Sequence, residues 1–486
     1  MFHGDKVTMA ESARSAPLAG VPCRVLGGGP AAIHAERLLT ALGATVADVT
    51  CDDTRYIAVN VGSSPAVQDW AESGAMAVTG RTDGPPSVAA GSAASATRAW
   101  LAVFAALREV DGSVCHHLPG VEILGERAAL LGRGRNGPWS VGGAFRVLPT
   151  ADGYLGVSLP RSDDFVLLPA LIQGEISGEP WEALADWART QRADEAAERA
   201  QLLGIAAATV PTSPSRPHDE QYRGRHGKAA LLRPGGIRRN RRHQPLIVDF
   251  TALWAGPLCA HLLGLTGAQV VKVESTQRPD GARSGPRDFY DLMHSGHSSV
   301  AVDFTTTEGI ETLQHLIDAA DLVLEASRPR ALRTLGIDAE AAVDAGTNWL
   351  GITAYGRCGP WSDRIGFGDD VAAAAGATFP DGPDILPGGD ALADPMTGVY
   401  AAATAAAMLL SDRAFLADIS MRDVVASAVE IPAEPHDVVR DSAGRWRVRT
   451  PAAEFQVRAP RARRASAPAS ELGADTQEVL ARWIGP

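Results

Sequence analysis

The chain has few cysteines and no excess of positive charge. Its five cysteines are scattered over 486 residues without a CxxC pair or the spacing of metal ligands, so we expect no metal site and a reducing cytoplasm. The formal net charge of −12 argues against nucleic-acid binding, because neutralising phosphates requires a basic surface. This composition predicts a cytoplasmic protein without a nucleic-acid partner.

Long apolar runs are also missing. The alanine-rich run 399–410 is shorter than the roughly 20 apolar residues that span a bilayer. Residues 1–20 lack the apolar core of a secretory signal, and we expect them to form a flexible N-terminus. The sequence therefore predicts a soluble protein with no membrane partner, and its length predicts two or more domains.

A strand, turn, helix and strand are predicted between residues 246 and 274. The apolar run Leu246–Val248 precedes the turn Ala255-Gly256-Pro257, and a second β-rich run covers Val270–Val273. Residues 23–50 repeat this plan, with RLLTALGATV in the first copy beside HLLGLTGAQV in the second. We interpret the pair as an unequal internal duplication.

Asp394 stands at the start of an alanine-rich helix in the segment LADPMTGVYAA. A carboxylate in this position could act as a nucleophile. The alternative is that Asp394, which precedes Pro395, is only a helix N-cap. Three nearby carboxylates, Asp369, Asp370 and Asp390, are further candidates. The first copy has a similar alanine-rich helix at residues 86–110, but no aspartate at its start.

These segments resemble the family III coenzyme A transferases, a group that includes formyl-CoA, carnitine-CoA and succinyl-CoA transferases and the α-methylacyl-CoA racemases. The resemblance continues through residues 299–338, ITAYGRCGPWSDRIGFGDD and LADISMRDVVASA, in the family's order. It implies an α/β fold, with a Rossmann-like large domain and a smaller α+β domain. The Asp-x-x-x-Gly spacing of Asp394 and Gly398 matches the family's nucleophile.

The resemblance also implies a division of the chain. We expect a flexible segment at 1–20, a degenerate large-domain copy at 21–135 and a small domain at 136–212. A linker is expected at 213–245, where the basic cluster 238–242 would be solvated or would meet an acidic partner. The active large domain, with a closing segment at its C-terminus, would cover 246–486. Family members are interlocked homodimers, so we expect an intramolecular pseudo-dimer with one active centre. A homodimer of such chains stays open as an alternative.

The reaction that the resemblance implies is CoA transfer from an acyl-CoA to a free carboxylic acid. Asp394 would form an acyl anhydride and then an aspartyl-CoA thioester. Coenzyme A is a co-substrate, and no tightly bound cofactor is expected. The residues that correspond to the family's coenzyme contacts are Leu253, Trp254, His297, Arg328, Arg333 and Leu335. Core packing of Trp254 and a surface position for His297 are the alternatives.

Three other functions stay open on the sequence. Racemisation needs a histidine beside the aspartate, but the family's Gly-His-Asp segment corresponds to Gly366-Phe367-Gly368. The turn Gly27-Gly28-Gly29-Pro30-Ala31-Ala32 resembles a flavin or nicotinamide fingerprint, with Asp48 as the acidic partner. A catalytically silent CoA-binding protein is the third alternative.

Overall fold

The first part of the chain folds around a small parallel sheet. The computed structural model describes residues 16–46, 56–115, 118–212, 225, 227–327 and 330–484. Its first three strands form a parallel sheet in the order β2-β1-β3. The elements are β1 (Pro22–Gly28), α1 (Gly29–Ala41), β2 (Thr45–Val46), β3 (Ile57–Ser63), α2 (Ala66–Glu72), α3 (Ala93–Val110) and α4 (Glu126–Leu130). The buried Leu18 donates its N–H to Leu42 O at 2.9 Å, so the flexible segment predicted for 1–20 does not include residue 18.

A second, antiparallel unit follows. Its three strands lie in the order β4-β5-β6 and pack against three helices around a separate apolar cluster. The elements are β4 (Phe145–Pro149), β5 (Tyr154–Ser158), α5 (Ser162–Ile172), α6 (Pro180–Ala188), α7 (Ala193–Leu202) and β6 (Ala206–Thr209).

The second half contains a seven-stranded sheet in the order β10-β9-β8-β11-β12-β15-β7. The first six strands are parallel, and β7 pairs antiparallel with β15 at the edge. The strands are β7 (Ala230–Ile237), β8 (Leu246–Asp249), β9 (Gln269–Ser275), β10 (Ser298–Val302), β11 (Leu322–Glu325), β12 (Asn348–Thr353) and β15 (Arg413–Ser420), with the hairpin β13 (Thr378–Asp381) and β14 (Asp384–Pro387). The six parallel strands have the doubly wound order of the Rossmann fold, so the predicted fold class is confirmed.

Helices cover both faces of this sheet. They are α8 (Ala255–Leu265), α9 (Arg287–His294), α10 (Thr307–Ala319), α11 (Arg330–Thr334), α12 (Ala339–Asp344), α13 (Gly368–Ala374), α14 (Ala393–Leu410) and α15 (Met421–Val429). In an open sheet of this kind, ligands bind where the order reverses, at the carboxyl ends of the strands. Here the order reverses between β8 and β11.

The linker predicted for 213–245 is wrong over part of its length. Residues 230–237 form β7, and Arg238 and Arg242 of the basic cluster beyond it are bound to the sheet domain, whereas Arg239 and Arg241 are exposed. Arg238 and Arg242 both pair with the buried Asp321, at 3.2 and 2.8 Å. The cluster therefore anchors the connection between the two halves.

The C-terminal segment returns from the second half to the first. A three-stranded antiparallel sheet, β16 (Asp437–Arg440), β17 (Trp446–Arg449) and β18 (Glu454–Gln456), precedes an extended strap and the helix α16 (Thr476–Trp483). In the strap, Arg463 donates two hydrogen bonds to the buried Glu126 of α4, at 2.8 and 2.7 Å. This contact fixes α4 against the second half.

One apolar cluster runs through both halves. It includes buried residues from Leu18 to Val448, and α3 packs against α14 at its centre. There the Trp100 ring meets the Tyr400 ring edge-on, with centroids 5.1 Å apart. The two halves therefore share a core.

Candidate functional site

The site is built around the first turn of α14. This helix begins at Ala393 with Leu392 as its N-cap, so Asp394 lies inside the first turn. The N-cap alternative for Asp394 is therefore wrong. Its side chain is half-buried, and no other residue of the first turn is acidic.

Gly398, one turn after Asp394, lets α14 approach the start of α8. A Cβ at Gly398 would lie 2.7 Å from Ala255 O and 2.9 Å from the Leu258 side chain. The Asp-x-x-x-Gly spacing thus has a packing reason, because it brings the first turn of α14 against the first turn of α8. Asp394 is thereby placed beside the turn that follows β8.

That turn has a strained backbone. Leu253 has φ of +70°, a left-handed conformation that bulky residues rarely adopt. Its N–H donates to Asp280 at 3.1 Å, and Asp280 pairs with the buried Lys272 at 2.9 Å. This buried ion pair holds the turn, which leaves Leu253 46 % exposed directly before α8.

The loop before α13 closes on Asp394 from the other side. The backbone of Gly368 lies against the Asp394 carboxylate, and its N–H lowers the pKa of that carboxyl. A Cβ at Gly368 would collide with Asp394 Oδ2 and Ala391 O, and would lie 2.7 Å from Ala391 Cβ. Only a glycine fits at this approach, so the backbone of residue 368 is a close polar partner of the carboxylate.

Two further carboxylates and one guanidinium surround Asp394. Arg127 of α4 donates to Asp390 through Nε at 3.0 Å and through a second, shorter bond from Nη2. The same guanidinium lies 4.6 Å from the centroid of the Trp254 ring. Asp369 accepts a hydrogen bond from the Ala391 N–H at 2.9 Å. Negative charge therefore exceeds positive charge at the site when all three carboxylates are ionised.

This crowding changes the protonation of the carboxylates. Burial raises the pKa of Asp394 to about 7; the Arg127 charge opposes the rise, whereas Asp369 and Asp390 add to it. Burial likewise raises the pKa of Asp369 to about 6, again opposed by Arg127. A carboxyl group with a pKa near neutrality is more basic than usual, and such groups concentrate at functional sites.

A side chain of the antiparallel unit also contacts the carboxylate cluster. Burial raises the pKa of Asp370 to about 7, and the Ser158 hydroxyl of β5, which donates to Asp370 at 2.7 Å, opposes the rise. The carboxylate cluster thus takes partners from the first half of the chain as well as from the second.

An open cleft of about 300 Å³ lies at the carboxyl ends of β11 and β12. It leads to Phe367, whose neighbour Gly368 touches Asp394. Three guanidinium groups line it: Arg161 and Arg364 bond to Asp164 and Glu198, whereas Arg278 is exposed. The other lining residues are Ala326, Ser327, Thr353, Ala354, Ser362, Ile365 and Gly366.

The predicted coenzyme contacts fall in different places. Leu253 is exposed in the turn before α8, whereas Trp254 is 3 % exposed, edge-on to Phe289 at 5.3 Å, and 4.6 Å from the Arg127 guanidinium. Arg333 is exposed and 3.8 Å from Glu340, and Leu335 packs against the apolar cluster on one face of the large sheet. Arg328 lies outside the described residues.

His297 is in the core, so the expectation of a surface histidine there is wrong. It is 5 % exposed and packs against Gly264 of α8. Within the described part of the chain, neither ring nitrogen has a hydrogen-bond partner. A contact from this side chain to a coenzyme in the cleft would require it to leave the core.

The structure gives the glycine-rich turn at residues 27–29 a packing role. A Cβ at Gly28 would lie 3.4 Å from Ser63 Oγ, and one at Gly29 would lie 3.0 Å from Ser64 O. The end of β3 thus occupies the space beside this turn, while Asp48 lies outside the described residues. Among the residues that are described, no group of His, Cys, Asp or Glu is placed to hold a metal, and no helix could cross a membrane.

Fold and site together define a doubly wound α/β protein with a basic carboxylate at the carboxyl edge of its sheet. Residues 243–433 match the model of the family CoA-transferase family III. The Gly368 loop, Asp394, Leu253 and Trp254 all lie within the matched region. Arg127 lies outside it.

Curated relatives match the same part of the chain. A probable fatty acyl-CoA transferase of Mycobacterium tuberculosis is 36% identical over 192 residues, which are 36% of this chain and 48% of that protein. The human succinyl-CoA:glutarate CoA-transferase is 30% identical, covering 32% of this chain and 38% of that protein. The Escherichia coli formyl-CoA:oxalate CoA-transferase is 28% identical, covering 37% and 47%. The chain thus spans half or less of the length of these relatives.

A crystal structure of a hypothetical protein from Mycobacterium tuberculosis is also similar. Its sequence is 32% identical, the match covers 37% of this chain and 55% of that chain, and the TM-score is 0.34.

Proposed function

We propose that this protein transfers coenzyme A from an acyl-CoA to a free carboxylic acid, with Asp394 as the nucleophile. The observation that carries the proposal is the half-buried Asp394 carboxylate, which lies against the Gly368 backbone at an approach that no side chain at 368 could share. The relatives that match this region, among them transferases named for succinyl-CoA with glutarate and formyl-CoA with oxalate, support the same reaction class.

The reaction consists of four exchanges at one carboxylate. Asp394 attacks the thioester carbonyl of the donor and expels CoA thiolate, which leaves a mixed anhydride. The thiolate then attacks the aspartyl carbonyl, releases the donor acid and forms an aspartyl-CoA thioester. The acceptor carboxylate attacks that thioester and expels the thiolate again, which finally attacks the acyl carbon of the acceptor and frees Asp394. The energy of the thioester is conserved throughout, so no ATP is consumed.

Each exchange passes through a tetrahedral oxyanion, which fixed amide groups stabilise. We propose the first-turn amides of α8 as these donors, because Gly398, one turn after Asp394, packs against Ala255 and Leu258 of that helix. The Leu253 N–H is committed to Asp280, so we assign it to holding the turn rather than to the oxyanion. For the coenzyme phosphates we propose Arg278, which is exposed in the cleft and which sequence reasoning missed.

We further propose that the chain is an intramolecular pseudo-dimer with one active centre. The helices α3 and α14 both contain 18 residues, and each is preceded by a residue with positive φ, Gly91 at +89° and Ala391 at +44°. Trp100 and Tyr400 occupy equivalent positions in the two helices, and their rings meet edge-on. Where α14 has Asp394, α3 has a buried Ala94, which cannot attack a thioester.

The test is intact-protein mass spectrometry after incubation with a panel of acyl-CoAs and hydroxylamine. Hydroxylamine converts an activated aspartate into a hydroxamate, so peptide mapping should find a donor-dependent adduct on Asp394. The adduct should be absent from Asp394→Ala and present in Asp437→Ala, which removes an exposed carboxylate of β16. Acyl-CoA binding without an adduct from any donor would refute the transferase and favour a silent CoA-binding protein.

A further inference from the structure

Arg127 lies in the half of the chain that carries no nucleophile, yet its guanidinium faces the Asp394 site. Its side chain is 21% exposed, and its partner Asp390 is 1% exposed. The two are joined by a bidentate pair, an arrangement that fixes geometry as well as charge. The guanidinium also lies over the ring of Trp254, the residue directly before α8.

The helix that carries Arg127 is itself held in place. The neighbouring Glu126 is 1% exposed and accepts two hydrogen bonds from the Arg463 guanidinium in the C-terminal strap. Arg463 also lies 2.8 Å from His261 Nε2 on α8. The second half therefore holds Arg127 directly, through Asp390 and Trp254, and indirectly, through the contact of Arg463 with Glu126.

We propose that Arg127 is the positioning residue of the Asp394 nucleophile. It fixes Asp390 at the entrance to α14 and supplies the positive charge that favours the ionised form of Asp394. The inference rests on the proposed function and adds to it a residue from outside the family-matched region 243–433. The active centre would then be complete only when the N-terminal half is docked.

The charge balance around Asp394 explains why one guanidinium matters. The charged groups that act on Asp394 are Asp369 from α13, Asp390 from the segment before α14, and Arg127 from α4. Arg127 is the sole cation among them in the described part of the chain. Its loss would leave two anionic neighbours and burial, all of which favour the protonated, unreactive form of Asp394.

The experiment measures the protonation of Asp394 without any substrate. A water-soluble carbodiimide with glycinamide labels protonated carboxyl groups, so the extent of labelling at Asp394 against pH, read by peptide mass spectrometry, gives its apparent pKa. Arg127→Met should raise that pKa from about 7 by at least one unit. Arg127→Lys should raise the pKa of Asp394 less, because the positive charge remains but the bidentate guanidinium is lost.

Asp390→Asn provides the opposite test. It removes an anionic neighbour and frees the guanidinium, so the apparent pKa of Asp394 should fall. A purely structural role for Arg127 would not produce shifts of opposite sign in these two variants. An unchanged pKa in folded Arg127→Met, or an upward or absent shift in Asp390→Asn, would overturn the proposal. If Arg127→Met does not fold, the sign of the Asp390→Asn shift decides.

Failure of the proposed function gives a different result. If wild-type protein forms no hydroxamate with any donor but the variants show the opposed shifts, the transferase proposal fails and the role of Arg127 stands as a property of the site. If hydroxamate forms on Asp394 and the shifts are absent, the role proposed for Arg127 fails and the transferase proposal stands.

Discussion

Replacing Gly368 by alanine should separate the chemistry of the site from the stability of the fold. The added Cβ would collide with Asp394 Oδ2 and Ala391 O, atoms on the two sides of the start of α14. Relieving the collision requires the carboxylate or the loop to move by about 1 Å, and a misplacement of that size costs on the order of 100-fold in rate. Overpacking of this kind costs about 1–3 kcal/mol of stability. We therefore expect a large fall in the rate and only a modest loss of folding stability.

The assay is the initial rate of hydroxamate formation on Asp394, combined with urea unfolding of each variant. Gly174→Ala is the matched control, because a Cβ at Gly174 would meet no atom within 4 Å. The control should keep the wild-type rate within about twofold, whereas Gly368→Ala should lose about 100-fold. A Gly368→Ala variant that is acylated at the wild-type rate would refute the assigned geometry.

Two further predictions concern the fold. Burial and the Lys272 charge lower the pKa of His297 from 6.5 to about 3, so the unfolded chain binds a proton that the folded chain does not, and stability falls as pH drops from 6.5 towards 3. The loss of stability at pH 5 is about 2 kcal/mol for this residue. The unfolding free energy of His297→Leu should therefore change less between pH 7 and 5 than that of wild type or of the exposed control His315→Leu. Equal slopes in the three proteins would contradict the assignment. Separately, cleavage at a protease site inserted within 213–224 should leave the halves associated in gel filtration, because they share one core; halves that part freely would count against the pseudo-dimer.

The sequence predicted the local elements of the site better than its long-range contacts. The strand, turn, helix and strand between residues 246 and 274 appear as β8, α8 and β9, because apolar runs and the Gly-Pro turn act over a few residues. The Rossmann-like class was implied by the resemblance to the family III coenzyme A transferases. The pairing of Arg127 with Asp390 could not be predicted, since it joins two halves whose docking depends on tertiary packing and leaves no local pattern.

The misplaced linker has a similar cause. The sequence of β7, ALLRPGGI, contains a proline and two glycines, which usually interrupt a strand. It is nevertheless a strand because it lies at the sheet edge and pairs on one side only, where a residue such as Pro234, which has no N–H to donate, is tolerated. The prediction of a surface position for His297 was wrong for a related reason. Its burial comes from the approach of α8 and not from the residues next to it in sequence.

The raised pKa of Asp394 has two opposed effects on the proposed reaction. A pKa of about 7 leaves about half of the carboxylate ionised at neutral pH, fewer than an ordinary aspartate would provide. The ionised fraction is correspondingly more basic and is destabilised by Asp369 and Asp390. Acylation converts Asp394 from an anion into a neutral ester-like group and so relieves that repulsion. The same carboxylate cluster that reduces the amount of reactive Asp394 therefore favours the covalent intermediate, and Arg127 sets the balance between the two effects.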